Sequence, residues 1–530
     1  MNSTLKYLFF LLELLPLLAI SVDTVGQNVS NQPNILFCIA DDASYQHMSA
    51  YGLTKWVHTP AFDEVAAEGV LFLNAYTPNA KCAPSRSCIL TGRNPWQLEE
   101  AANHVPFFPA KFTTWVEALS HNGYEVGYTG KGWSPGNPGT KDGKPRLLTG
   151  KAYQNKKLTA PTESISTTDY AANFEDFLDQ RNGSKPFCFW YGGHEPHRAY
   201  AQGSGLAKSN KKLSDIDRVP AYWPDNETVR NDMLDYAFEV EYFDQNLGRI
   251  LAVLKERGEL ENTIVIVTSD NGMPFPRVKG HVYEYDNHLP LAIMWPKGIE
   301  HKGRKIEDFV SFNDFAPTIL EAAGVSHAKS TMQAVEGKSL LPLLRSSKSG
   351  KTGLGRDHML VGKERTDVGR PHDHGYPVRG IIKNNFIYTI NYHPERWPGG
   401  NPETGYLDTD GSPTKTEVLN ARRNGSNPTY WNYSFGKKGG EELYRYDLDP
   451  DGIKNLASLP EYKKIKAALK KQLEEELKKQ QDPRMFGKGD IFDNYPYSEA
   501  SSKNFYERYM EGEKLKAGWV NKSDFEKIEE

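Results

Sequence analysis

Cysteine is scarce in this chain, with four in 530 residues. Cys38 and Cys188 lie inside apolar runs and Cys88 inside a helix-forming stretch, so these three read as core packing rather than a disulfide framework. A basic excess is missing as well. Sixty-four Lys and Arg stand against 68 Asp and Glu, a net charge of −4, which provides no global field for nucleic acid and argues against it as a partner. Long hydrophobic runs are absent except at the start. Leu8 to Ile20 is interrupted by Glu13 and is too short to span a bilayer. With Lys6 before it and Ala19-Ile20-Ser21 after it, residues 1–25 read as a secretory signal. No cysteine follows closely, so a lipid anchor is not expected. The expectation is export without a membrane anchor, to a periplasm, the extracellular space or, in a eukaryote, a lysosome-like compartment. Internal repeats are also absent.

What is present suggests an α/β enzyme. The length exceeds the usual size of one core, so a large domain with a smaller companion is expected. Buried-type strands at 34–40, 124–128, 186–191, 263–268 and 291–295 alternate with helices at 113–122, 229–258 and 309–323. This predicts a mostly parallel sheet sandwiched by helices. From about Gly350 the texture changes to short strands at 359–361, 378–382, 386–391 and 442–446 and a helix at 461–479, which predicts an antiparallel α+β subdomain. The expected division is 30–350 catalytic, 351–490 α+β, contributing to the substrate pocket, and 491–530 a C-terminal extension.

The fourth cysteine stands in Cys82-Ala83-Pro84-Ser85-Arg86-Ser87-Cys88-Ile89-Leu90-Thr91-Gly92-Arg93. Pro84 suits the first turn of a helix, so Cys82 would sit at the helix entrance, where free N–H groups favour negative charge. Arg86, four residues on, shares its face and could clamp an anion beside it. Two apolar strands end in acidic residues: 34–40 in Asp41-Asp42 and 263–268 in Ser269-Asp270-Asn271-Gly272. Ligand sites of open α/β sheets lie at such strand ends. Three carboxylates and an amide oxygen form a hard site suited to Ca²⁺ or Mg²⁺ rather than zinc. Lys131 in Thr129-Gly130-Lys131 and His194 in Gly193-His194-Glu195-Pro196-His197-Arg198 follow other strands, and Lys279 lies in the loop after Asp270. His194 is suited to general acid work.

The string Cys-x-Pro-Ser-Arg followed by Thr-Gly resembles the signature of the type I sulfatases. The resemblance implies an alkaline phosphatase-like fold and oxidation of Cys82 to Cα-formylglycine by a formylglycine-generating enzyme during maturation. In that family the aldehyde hydrates, one hydroxyl attacks sulfur, and the other lets the intermediate collapse. It further implies calcium on Asp41, Asp42, Asp270 and Asn271 adjoining the residue at Cys82. Arg86 and Lys131 would hold the metal-side sulfate oxygens, and His194 and Lys279 would serve the leaving group. Gly193-His194-Glu195-Pro196-His197-Arg198, Ser269 to Pro276 and Gln481-Asp482-Pro483-Arg484 are similar to the heparan N-sulfatase (sulfamidase) branch. One departure stands out. Where many sulfatases carry a histidine two residues after the lysine, this chain has Trp133, so either His104, or an acidic group near the metal, takes the proton, or elimination is slow.

The expected substrate is a sulfated saccharide. Arg365, Arg370, His372 and His374 are candidates for holding its hydroxyl or carboxylate groups, and Trp397, Tyr406, Tyr430 and Trp431 for stacking on its rings. Three alternatives are a sulfamidase acting on N-sulfoglucosamine, a phosphoester or phosphonate hydrolase of the same superfamily, and a degenerate glycan-binding relative.

Overall fold

The computed structural model describes residues 32–526 except 184 and 426. The expected signal segment at 1–25 lies outside the described residues. Strands β1 (Asn34–Ala40), β2 (Val70–Phe72), β3 (Glu125–Gly130), β4 (Lys151–Ala152), β5 (Phe187–Gly192), β6 (Thr263–Ser269), β7 (Leu291–Met294) and β8 (Arg304–Ile306) form one sheet. Their order is β8-β2-β7-β6-β1-β5-β3-β4. All neighbours are parallel except those of β7, which runs against both β6 and β2.

Every residue of β1 is buried because both faces of the sheet are covered. The two-residue period sends Leu36, Cys38 and Ala40 into one core and Ile35, Phe37 and Ile39 into another. The first core is closed by a helix of 30 residues, Glu227–Glu256, capped by the Asn226 side chain. Its Val229, Met233, Tyr236, Val240, Phe243, Leu247, Ile250 and Leu254 face the sheet. At roughly 1.5–3 kcal/mol per buried large apolar side chain, this stripe is the main adhesive of that face. Helices α1 (Cys82–Thr91), α2 (Trp115–His121) and α3 (Phe315–Ala322) cover the other.

The helix expected at 309–323 begins only at Phe315. Val310 and Ser311 pair instead with Ala75 and Tyr76, and Asp314 accepts the Ser311 N–H to start the turn.

Beyond residue 350, β9 (Met359–Lys363), β10 (Val378–Lys383), β11 (Phe386–Asn391) and β12 (Glu441–Arg445) form an antiparallel sheet in chain order. Asn384 and Asn385, at φ 50° and 65°, make the two-residue hairpin between β10 and β11. Helix α4 (Pro413–Arg423) lies between Tyr406 and Tyr430, and helix α5 (Lys463–Lys479) lays Leu469, Leu473 and Leu477 on the sheet. Residues after 490 pack back through Tyr497, Phe505 and Ala517 onto Val105, Val368 and Leu407. Among the described residues no helix is long and apolar enough to cross a membrane.

Candidate active site

Neighbouring strands end together, and their ends carry the chemistry. Ala40 of β1 pairs with Ser269 of β6, so Asp41-Asp42 and Asp270-Asn271 emerge side by side. The Asp270 N–H donates to the Ala40 carbonyl, and the Asp42 N–H to Asp270 Oδ1 at 3.1 Å. Asp42 turns with φ 79°. On the other side β3 and β5 approach so closely that a Cβ on Gly130 would lie 1.9 Å from the Gly192 carbonyl oxygen. That contact fixes Lys131, whose Nζ lies 2.6 and 2.8 Å from the two Asp41 oxygens.

Helix α1 brings its first residue to this junction. Cys82 Sγ lies 3.6 Å from Asp41 Oδ1 and 3.9 Å from Asp42 Oδ1. Burial pushes the thiol pKa far up; Lys131 offsets this in part, while Asp41 and Asp270 add to it. The cysteine is therefore held protonated, a poor nucleophile as it stands. One turn on, Arg86 is wholly buried. Its Nε donates to Asp270 at 2.8 Å and its Nη1 to the carbonyls of Lys131 and Gly132. Nη2 has no hydrogen-bond partner and lies 3.5 Å from Asp41.

The donor set fits a hard cation. Ligand atoms of Asp41, Asp42, Asp270 and Cys82 all lie within 4.8 Å of one another. The Asn271 amide is oriented by donating to Asp42 Oδ1 at 2.7 Å and to the Gly272 carbonyl at 2.9 Å, which leaves its Oδ1 buried without a partner. An orphaned amide oxygen beside three carboxylates suits an oxygen-seeking divalent ion. Burial raises the Asp270 pKa, whereas Lys131, His197 and Arg86 overcome burial and hold Asp41 well below the usual carboxylate range.

Opposite Lys131, Lys279 Nζ bridges Asp42 at 2.7 Å and Asp410 at 2.8 Å. Burial opposes its charge, but Asp410 and Asp42 keep it protonated. His197 Nε2 faces Asp42 at 3.9 Å, and its Nδ1 lies 2.6 Å from the Arg198 carbonyl, which therefore takes the ring N–H. Solvent reaches His194, yet the protein packed round its ring pushes its pKa down to about 4, with Lys131 and Arg86 contributing. Lys81, just before Cys82, pairs with Asp367 at 3.2 Å, and His104 leans on the same carboxylate at 3.4 Å. Sequence reasoning missed Asp410, Asp367, Lys81 and the contact of His197. Lys81 adjoins the cysteine motif, His197 lies inside the His194 motif and Asp367 lies between Arg365 and Arg370, whereas Asp410 lies in no motif.

Trp133 is buried, donates its indole N–H to Ser87 at 2.8 Å and packs on Phe108. His104 makes no hydrogen bond to Cys82 among the described residues. The four residues expected to hold the sugar make contacts of their own. Arg370 is buried and committed to Asp408 and to the carbonyls of Trp397 and Pro398. Arg365 donates to the Tyr495 carbonyl, His372 is exposed beside Glu507, and His374 lies against His372. None is hydrogen-bonded to Cys82, Lys131, Lys279 or the acidic cluster. Tyr406 is buried under Phe435 and cannot serve as an open stacking face. Trp397 and Trp431 pack edge to face on one another.

A family model described as Sulfatase matches residues 33–325. An ulvan-active sulfatase of Formosa agariphila is 29% identical over 478 residues, covering 86% of this chain and 82% of that protein. Human N-sulphoglucosamine sulphohydrolase is 27% identical over 477 residues, covering 83% and 89%. Among solved structures, BT4656 in complex with its substrate D-glucosamine-2-N,6-O-disulfate shares the fold with a TM-score of 0.60 at 22% identity, over 85% of this chain and 98% of that one. A phosphonate monoester hydrolase of Agrobacterium radiobacter shares it with a TM-score of 0.59 at 18% identity, over 85% and 96%.

Proposed function

Because the chain belongs to the sulfatase family, an alkaline phosphatase-like lineage of hydrolases, we propose that it removes sulfate from a sulfated saccharide at the junction of Cys82, Asp41, Asp42, Asp270 and Asn271. The observation that carries this reading is the pairing of a buried, protonated Cys82 with an unpartnered Asn271 oxygen and three carboxylates. Those four polar residues would hold Ca²⁺, which would polarise the sulfate and the group at Cys82. The Cys82 sulfur marks where a formylglycine hydrate would place its hydroxyls and supply the nucleophile. Around that point the side chains of this chain have defined work. Arg86 Nη2 and the Lys131 ammonium offer N–H groups to sulfate oxygens. Lys279 and His194 stand on the leaving-group side, where a developing negative charge has to be neutralised or protonated.

The phosphate-directed alternative is less favoured by one contact. Among the described residues, the other place where three metal-type ligands converge is Asp42, His197 and Asp410, and there Lys279 already sits between the two carboxylates. One divalent ion plus an ammonium suits the lower charge of sulfate better than a two-metal phosphate site.

The similarity to the human sulphohydrolase and the ulvan-active enzyme supports a saccharide substrate, and O- and N-sulfates both fall within it. The division at 30–350, 351–490 and 491–530, export from the cell and maturation by a formylglycine-generating enzyme belong to the same proposal. The test is a mass measurement of the peptide containing Cys82, from a host that converts such motifs, joined to a screen of N-sulfated and O-sulfated sugars. An aldehyde in place of the CH₂SH group is expected in the mass measurement, and release of sulfate from a sugar in the screen. An intact thiol, or a preference for phosphate esters, would overturn the reading.

A further inference from the structure

Resting on the sulfatase reading above, we propose that Asp410 is a positioning residue that sets Lys279 on the leaving-group side and so couples the C-terminal part of the chain to the reaction. Lys279 Nζ has two carboxylate partners, Asp42 at 2.7 Å and Asp410 at 2.8 Å. Asp42 belongs to the set that would hold a cation, so Asp410 is the one partner whose charge is reserved for the ammonium. Asp410 lies outside residues 33–325, the span matched by the family model.

The loop that carries Asp410 is braced from several sides. The buried Lys415 ammonium, on α4, donates to the carbonyls of Thr409 at 2.7 Å and Gly405 at 2.9 Å and pairs with Asp524 at 3.1 Å. The Gly411 N–H donates to the Trp519 carbonyl at 2.7 Å, and the Trp519 indole donates back to the Leu407 carbonyl at 2.8 Å. Thus residues 519–524 clamp the chain on both sides of Asp410. Burying an ammonium is costly unless it is fully bonded, and here that ammonium holds the carbonyl of Thr409, the residue before Asp410. With 5% of its surface exposed, Asp410 is itself buried. It acts through Lys279.

The chemistry gives this placement a consequence. When the bond from sulfur to the leaving oxygen breaks, the electron pair goes to that oxygen, which is stabilised by an N–H donor or takes a proton. The Lys279 ammonium offers the N–H, and Asp410, 2.8 Å from it, keeps that ammonium aimed. A weakly acidic leaving group needs this help more than an activated one.

The experiment uses the full-length enzyme and a series of substituted phenyl sulfates whose phenols span a range of acidity. For Asp410→Asn, kcat for phenyl sulfate is expected to fall about tenfold further than kcat for p-nitrophenyl sulfate, with KM changed less than kcat. Asp410→Glu, which restores the charge one methylene away, is expected to fall between. An equal loss across the series, or no loss, would overturn the proposal, because a purely structural role does not sort substrates by leaving group. Should the Asn variant fail to fold, as judged by circular dichroism, the Glu variant carries the same comparison, and an equal loss there overturns it too. A wild-type enzyme that releases sulfate from neither O-sulfated nor N-sulfated substrates would overturn the sulfatase reading itself.

Discussion

Trp133 donates its indole N–H to the hydroxyl of Ser87 at 2.8 Å, and Ser87 lies five residues after Cys82 on another side of helix α1. The tryptophan two residues past Lys131 is therefore a packing residue behind the signature helix. Replacing it by the histidine usual in the family leaves a cavity beside Phe108 and an imidazole in an apolar setting. Trp133→His is expected to lower stability by about 3 kcal/mol and to leave kcat no higher. Denaturant unfolding and steady-state kinetics check both; a gain in kcat would mean that the ring does reach the Cys82 side.

Calcium should stabilise the fold as well as support turnover. A ligand that binds only the native state adds about 2.7 kcal/mol at a hundredfold excess over its Kd. Chelation is expected to lower the melting temperature of the wild type, and Asp270→Asn or Asn271→Ala to abolish most of that response. Melting curves with and without chelator decide it, and a variant that keeps the full calcium shift would remove that residue from the ligand set.

His194 gives a pH signature. Its free-enzyme pKa is pushed down to about 4, so the protonated form needed by a general acid dwindles as pH rises above that value. Between pH 5 and 7, kcat/KM for a poor leaving group is expected to fall roughly tenfold per pH unit. In His194→Gln the slope should flatten. A profile rising with pH over this range would show that His194 acts in another role.

Glu441 gives a pH signature in stability instead. A hydrogen bond from Tyr388, with further bonds from Lys466 and Lys470, draws its pKa down from 4.5 to about 2. For a carboxylate with a depressed folded pKa, the contribution is full above the unfolded value and is lost as pH falls through the folded one. The stability advantage of wild type over Glu441→Gln is thus expected to hold at pH 6 and to shrink between about pH 4.5 and 2. Urea midpoints measured across that interval test it, and a gap independent of pH would refute the assignment.

Much of the candidate site was legible because it is local. Asp41-Asp42 and Asp270-Asn271 follow apolar runs, and a buried strand must end at the sheet edge where ligands gather. Cys82 and Arg86 share a helical turn. The direction of β7 was not legible, since an apolar run carries no sign of which way it is threaded. Asp410 and Asp367 were missed for a different reason. Each gains its role from a lysine more than a hundred residues away, Lys279 and Lys81, and an ion pair between distant segments leaves no periodicity or spacing in either one. The partner of Arg370 was not legible either: the segment 365–374 reads as a cluster of Arg and His, and only the fold brings Asp408 to the guanidinium.

The burial of Cys82 has a consequence in time. All ten residues of helix α1 are buried, and Cys82 itself keeps 2% of its surface, beneath strand ends contributed by Asp41, Lys131 and Asp270. An enzyme that oxidises this side chain has to reach it, and the finished fold leaves it buried. On the proposed reading, maturation is a race on the nascent chain. The modification has to be complete before residues near 270 arrive to seal the sheet edge, and a molecule that folds first is committed to an unreactive thiol.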